Sequence, residues 1–124
     1  MTVRRLGVLQ WVGLLAGGAV WWAQHLVGLG VTAAECDPGG VGRGIDNDVW
    51  QGALLAVGVL LVLAAGAAAA TVLVRTRGTS YEDPPAPGRI RFLAIAAVVA
   101  NGLFLVIILL DGIASIAVAT CRQA

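Results

Sequence analysis

A chain of 124 residues that is 59% hydrophobic and only 12% charged, with a mean hydropathy of +0.90, is not a soluble domain, because soluble chains carry about 25% charged residues. The formal net charge is +1, and no nucleotide-binding or nucleophile motif is present, so neither nucleic-acid binding nor enzymatic activity is expected. Apolar runs of 18 or more residues with almost no charge read as membrane-spanning helices. Three occur, about Leu6–Val31, Trp50–Val74 and Phe92–Val118, which predicts an all-α membrane protein forming a single unit over 1–124.

The first run follows Arg4 and Arg5. Its apolar stretch is far longer than the 7–15 residues of a signal-peptide core, so it is expected to stay as a helix. Gln10, Gly17 and Gln24 recur at intervals of seven, with Gly13, Trp21 and Gly28 beside them. That is a small-and-polar face of the kind that packs against protein rather than lipid. His25, the sole histidine, points about 100° away from Gln24, with Gly18 and Thr32 along its own line. Trp22 is expected to join the packing. The two edges exceed what a three-helix unit is expected to bury by itself, which points to a partner.

The segment 32–49, TAAECDPGGVGRGIDNDV, has the Gly, Asp and Pro content of turns. Asp46, Asn47 or Asp48 is expected to cap the second helix, with Trp50 at the membrane interface. Calcium spacing of the DxDxDG type is absent. The second run is almost wholly Ala, Val, Leu and Gly. Gly66 and Ala70 have small-xxx-small spacing there, as Gly13 and Gly17 do in the first. The segment 75–91, RTRGTSYEDPPAPGRIR, is polar, and its PPAPG reads as a stiff extended connector. The third run carries Asn101 and Asp111, with Ser115 one turn beyond.

All eight cationic side chains are arginine. Arg4, Arg5, Arg75, Arg77, Arg89 and Arg91 flank one side; Arg43 and Arg122 flank the other. The positive-inside rule then puts the N-terminus and the 75–91 loop in the cytoplasm, and the 32–49 loop and C-terminus outside. Cys36 and Cys121 fall on that outer side, each just past a helix end. In an oxidising compartment a disulfide there can persist, provided the first and third helices are neighbours.

Polar groups at membrane depth are expensive and are candidates for function. Here they are Gln10, Gln24 and His25 on the first helix and Asn101 and Asp111 on the third. His25 precedes Cys36 by eleven residues and Asp111 precedes Cys121 by ten, so a disulfide would bring the two to one depth. An imidazole beside a carboxyl group can share a proton with it or form an ion pair. A His25–Asp111 contact, with Ser115 nearby, is one expectation. The other is that each residue is satisfied separately by a backbone carbonyl, water or a partner subunit. One histidine supplies half of what a bis-ligated haem takes, and no CxxC or CxxCH occurs, so no metal or cofactor is expected. Gln24 and His25 read as glue between helices.

The stretch WVGLLAGGAVWWAQHL, followed by Cys36 and, past the last helix, by Cys121, resembles a group of small three-helix bacterial membrane proteins associated with haem-copper cytochrome oxidase gene neighbourhoods. The matching residues are Trp11, Gly13, Leu14, Gly17, Gly18, Trp22, His25, Leu26, Cys36 and Cys121. Where that group often has Pro, this chain has Gly18. The resemblance implies a multi-pass protein of the bacterial plasma membrane. It also implies a non-catalytic accessory subunit of a respiratory oxidase or supercomplex, without its own redox centre. Alternatives are a transient assembly factor for that complex, or a self-associating channel or transporter component with the Gln10–Gln24 stripe lining a pore.

Overall fold

The structure, a computed structural model, describes residues 2–36, 46–80, 82, 85–118 and 121, with the backbone alone at 3 and 85–87. The turn-rich stretch 37–45 with Arg43, and Arg122, lie outside the described residues. Three helices account for nearly all of the rest: α1 (Val3–Glu35), α2 (Asn47–Arg75) and α3 (Pro85–Ala117). They run up, down and up, each packing against both others. All three are long and apolar enough to cross a membrane, and no strand occurs among the described residues. The fold is that of an all-α, multi-pass membrane protein.

The helices exceed the apolar runs at several ends. At about 1.5 Å per residue, 33 residues reach about 50 Å, against a hydrocarbon core of about 30 Å. Arg4 and Arg5 are good helix formers and simply continue α1 outward. At the start of α3 the expected extended connector is instead helical, because Pro85 and Pro87 fall in the first turn. The N–H groups that proline lacks have no partner there in any helix. Asp46 caps α2, its carboxylate accepting from the N–H groups of Asp48 (3.1 Å) and Val49 (3.3 Å). At the other end of α2, Thr76 Oγ1 donates to Val72 O, and Arg91 donates to the carbonyls of Arg77 and Thr79 at 3.1 and 2.7 Å. One α3 arginine thereby holds the turn that leaves α2.

Size is distributed inversely to a soluble core. From Gly58 on, the inward positions of α2 are Gly58, Val62, Ala65, Ala69 and Val72, continued by Thr76 just past its end, a strict 4-3 alternation. Those of α3 include Ile90, Ala94, Ala97, Asn101 and Ile108 at the same spacing. Leu, Val and Trp side chains cover the outside, as at Leu15, Leu60, Leu63, Leu103 and Leu110. Lipid is as apolar as leucine, so burying leucine gains little; close backbone approach over small residues is what holds such helices together. Gly66 and Ala70 are not that surface: Ala70 is exposed, and Gly66 only grazes Asn101. The tight contact between α2 and α3 is Gly112, where an added Cβ would stand 2.6 Å from Leu55.

Cys36 and Cys121 are joined, with a Cα–Cα distance of 5.5 Å across 85 residues of sequence. The bridge ties the ends of α1 and α3 at what is here called the disulfide end of the bundle; the opposite end carries Arg4, Arg5, Arg75 and Arg77. For a loop of this size the chain-entropy ceiling on stabilisation is about 4.5 kcal/mol. Replacing Cys36 with Ser is expected to lower the thermal unfolding midpoint of the protein in mild detergent. An unchanged midpoint would mean that helix packing alone holds these ends together.

Candidate functional site

At the disulfide end the bundle opens into a crevice of about 260 Å³. One wall is α1, with Gln24, His25, Gly28, Leu29 and Thr32. The other is α3, with Asp111, Ala114, Ser115 and Val118, and Gln51 of α2 closes the back. His25 and Asp111 meet across it, Nδ1 to Oδ2, at 3.5 Å. Nearly equal spacing from the disulfide is the reason: eleven positions separate His25 from Cys36 and ten separate Asp111 from Cys121. Their side chains remain 41% and 34% exposed, so this is a wall contact and not a sealed ion pair. Trp21 stacks on the imidazole, with ring centroids 5.7 Å apart, and Phe104 lies beyond Trp21 at 6.4 Å. Ser115 does not reach Asp111's carboxylate; its hydroxyl donates to the Asp111 carbonyl one turn back, at 2.8 Å.

Gln51 organises the back of the crevice. Its amide donates toward Gly28 O (3.2 Å), Thr32 Oγ1 (3.3 Å) and Asn47 Oδ1 (3.4 Å), and Thr32 Oγ1 in turn donates to Asn47 Oδ1. An added Cβ on Gly28 would press on the Gln51 amide. The reverse contact lies a little deeper, where Gln24 of α1 rests on Gly58 of α2 so closely that any Cβ there would collide with its Oε1. Near mid-bundle Asn101 of α3 lies on α1, its Nδ2 donating to Gly13 O (2.5 Å) and Ala97 O (2.8 Å), while its Oδ1 covers Gly17. Three amides thus sit on glycines of neighbouring helices. Gln24 Oε1 and Asn101 Oδ1 have no hydrogen-bond partner among the described residues. Each instead faces a glycine Cα–H, a weak donor.

This arrangement corrects two expectations. Both edges of α1 are covered by the chain itself: Gly13, Gln24 and Gly28 by α2, and Gly17, Gly18, Trp21 and His25 by α3. A single helix lodged in the groove between two others has two protein-facing edges without any partner. Trp22 does not pack within the bundle, since it stands 57% exposed on the outer face.

Gln51, Thr32, Gly58 and Gly112 were not singled out as site residues from sequence. Gln51 and Gly58 are seven apart on one helix, the same amide-and-glycine signature that marks Gln10, Gly17 and Gln24, and that spacing could have found them. No cluster of three or more metal-ligating side chains occurs among the described residues.

The chain matches no protein-family model, no curated protein and no solved structure with which it was compared.

Two measurements test the geometry. Gly58→Ala should destabilise by about 1–3 kcal/mol through overpacking against Gln24, whereas Gly30→Ala, which meets open space, should be neutral or slightly stabilising. A double-mutant cycle with His25→Ala and Asp111→Ala should give a coupling of about 0.6 kcal/mol, the average for polar contacts between membrane helices. Zero coupling would mean the two groups are satisfied separately.

Proposed function

We infer that the protein is a non-catalytic small subunit of a larger bacterial membrane complex, held in place by helix packing through the outer face of α1. The observation that carries this reading is Trp22. It lies close to the middle of the first apolar run, with its indole 57% exposed on the outside of the bundle. Tryptophan belongs at membrane interfaces, where its N–H finds water or head groups. At mid-depth against lipid chains that donor has nothing to bond. A facing helix would supply an acceptor.

Trp22 does not stand alone. Val8, Val12, Leu15, Ala19, Trp22, Leu26 and Leu29 are all exposed and alternate at intervals of four and three, the repeat of a helix-packing seam. The inner edges of α1 are occupied by its own bundle, so this stripe is what the helix has left to offer. The resemblance of the first helix and the two cysteines to small proteins of haem-copper oxidase gene neighbourhoods directs the proposal to a respiratory cytochrome oxidase or supercomplex in the bacterial plasma membrane. The arginine distribution supports an N-terminus in the cytoplasm and a disulfide end outside. A pore through one chain has little support: between Gly58 and Thr76 the buried positions of α2 are Val62, Ala65, Ala69 and Val72, which leave no polar path.

The test is purification of the tagged protein from native membranes in mild detergent, with mass spectrometry and a visible spectrum of the eluate. Oxidase or cytochrome subunits at fixed stoichiometry, with haem bands, are the expected result. Partners that appear only at low, varying yield would favour an assembly factor. A colourless homo-oligomer would sink the subunit reading. Trp22→Ala should lose the co-eluting subunits while the Cys36–Cys121 bridge still forms.

A further inference from the structure

The crevice meets the Trp22 stripe at Leu29 alone, and its chemistry is of a different kind. Its back and walls are polar: Gln51, Thr32, Gln24, Ser115, and the His25–Asp111 pair. Its lip is apolar, formed by Leu29 (56% exposed), Val118 (45% exposed) and the exposed Ala114. A polar recess behind an apolar lip, on the flank of a membrane bundle, suits a ligand whose head is polar and whose body lies in lipid.

The lining specifies the head further. Among the described residues no arginine lines the recess, and Asp111 would repel a phosphate or fatty-acid carboxylate. The one basic side chain on the described lining, His25, already faces Asp111 at 3.5 Å, so no cation is left to hold an anionic head and a neutral one is favoured. Hydrogen-bonding capacity is left over. The imidazole uses only Nδ1 among the described residues, which leaves Nε2 for a ligand. At about 260 Å³ the recess lies below the ~300–1,000 Å³ of drug-sized pockets, which is room for a single ring-sized head without its chain.

We propose that the crevice binds the head group of a lipid-soluble quinone or quinol. The His25–Asp111 pair can serve both forms. With the imidazole protonated beside a carboxylate, Nε2–H donates to a quinone carbonyl. With the imidazole neutral and its proton on Nδ1 facing Asp111, Nε2 accepts from a quinol hydroxyl. The remaining isoprenoid body passes over Leu29 and Val118 into lipid. The proposal is one of binding and includes no electron transfer.

The experiment uses the full chain with its disulfide intact, in nanodiscs, titrated with decylubiquinone and separately with its reduced form. Tryptophan quenching is the readout, since Trp21 stacks on His25. Saturable quenching is expected, with affinity weakened tenfold or more by Asp111→Asn and by Ala114→Phe. Ala114 is on the exposed lip, so filling the crevice from there leaves the helix contacts intact and guards against loss of folding. Trp22→Leu should leave the affinity unchanged, which separates this result from the fate of the subunit reading. Dodecanol and oleate, which offer a chain without a ring head, should compete weakly. Quenching that never saturates, equal affinity in wild type and Ala114→Phe, or equal competition by dodecanol would each overturn the proposal.

Discussion

The structure depends on close approach between an amide on one helix and a glycine on the next. Gln24 lies on Gly58, Gln51 on Gly28, and Asn101 on Gly13 and Gly17. In hydrocarbon no solvent competes for the amide, and no hydrophobic force draws apolar helices together. Glycine removes the one atom that would hold the backbones apart, and the Gln51 and Asn101 amides then reach carbonyls that the neighbouring helix already uses internally. The contact is modest in energy, averaging about 0.6 kcal/mol per polar contact between membrane helices, but demanding in shape. A methyl group at Gly17 would meet Asn101 Oδ1 at 2.7 Å.

Several features follow from that constraint. Helices drawn together over glycine and alanine leave their bulky residues outside, which is why Leu, Val and Trp cover the surface. The reciprocal pair of α1 and α2, Gln24 on Gly58 and Gln51 on Gly28, fixes the register of the two antiparallel helices from both sides. Asn101 does the same for α3 against α1 near mid-bundle, and the Cys36–Cys121 bridge closes their far ends. Between Asn101 and the bridge α1 and α3 face each other through His25 and Asp111, and the crevice lies there.

Much of this was legible in the residues. Three uncharged runs imply three helices, and topology places both cysteines at one end. Equal spacing from those cysteines puts His25 and Asp111 at one depth. The sevenfold recurrence of Gln10, Gly17 and Gln24 identifies the inward face of α1. Other features were misread for identifiable reasons. PPAPG looks like an extended connector when judged by proline content, yet prolines in a first helical turn cost nothing because those N–H groups are unpaired anyway. Trp22 neighbours the packing residues in sequence, but a step of 100° carries it to the outside. The second edge of α1 suggested a partner because sequence periodicity counts faces without showing how many neighbours a helix has within its own chain.

The sequence by itself determined what is local or averaged along a helix: the number of spans, the direction each polar residue faces, and the heights of the cysteines and of the His–Asp pair. These depend only on rise, twist and hydropathy, which every α-helix shares. Only the tertiary structure decided which amide meets which glycine, that α1 is satisfied on both edges by α2 and α3, and that Gln51 and Thr32 back a crevice. Those outcomes depend on the separation and register of helices. These are set by the absence of a single Cβ at positions such as Gly28, Gly58 and Gly112, in a chain where seventeen glycines look alike until their neighbours are known.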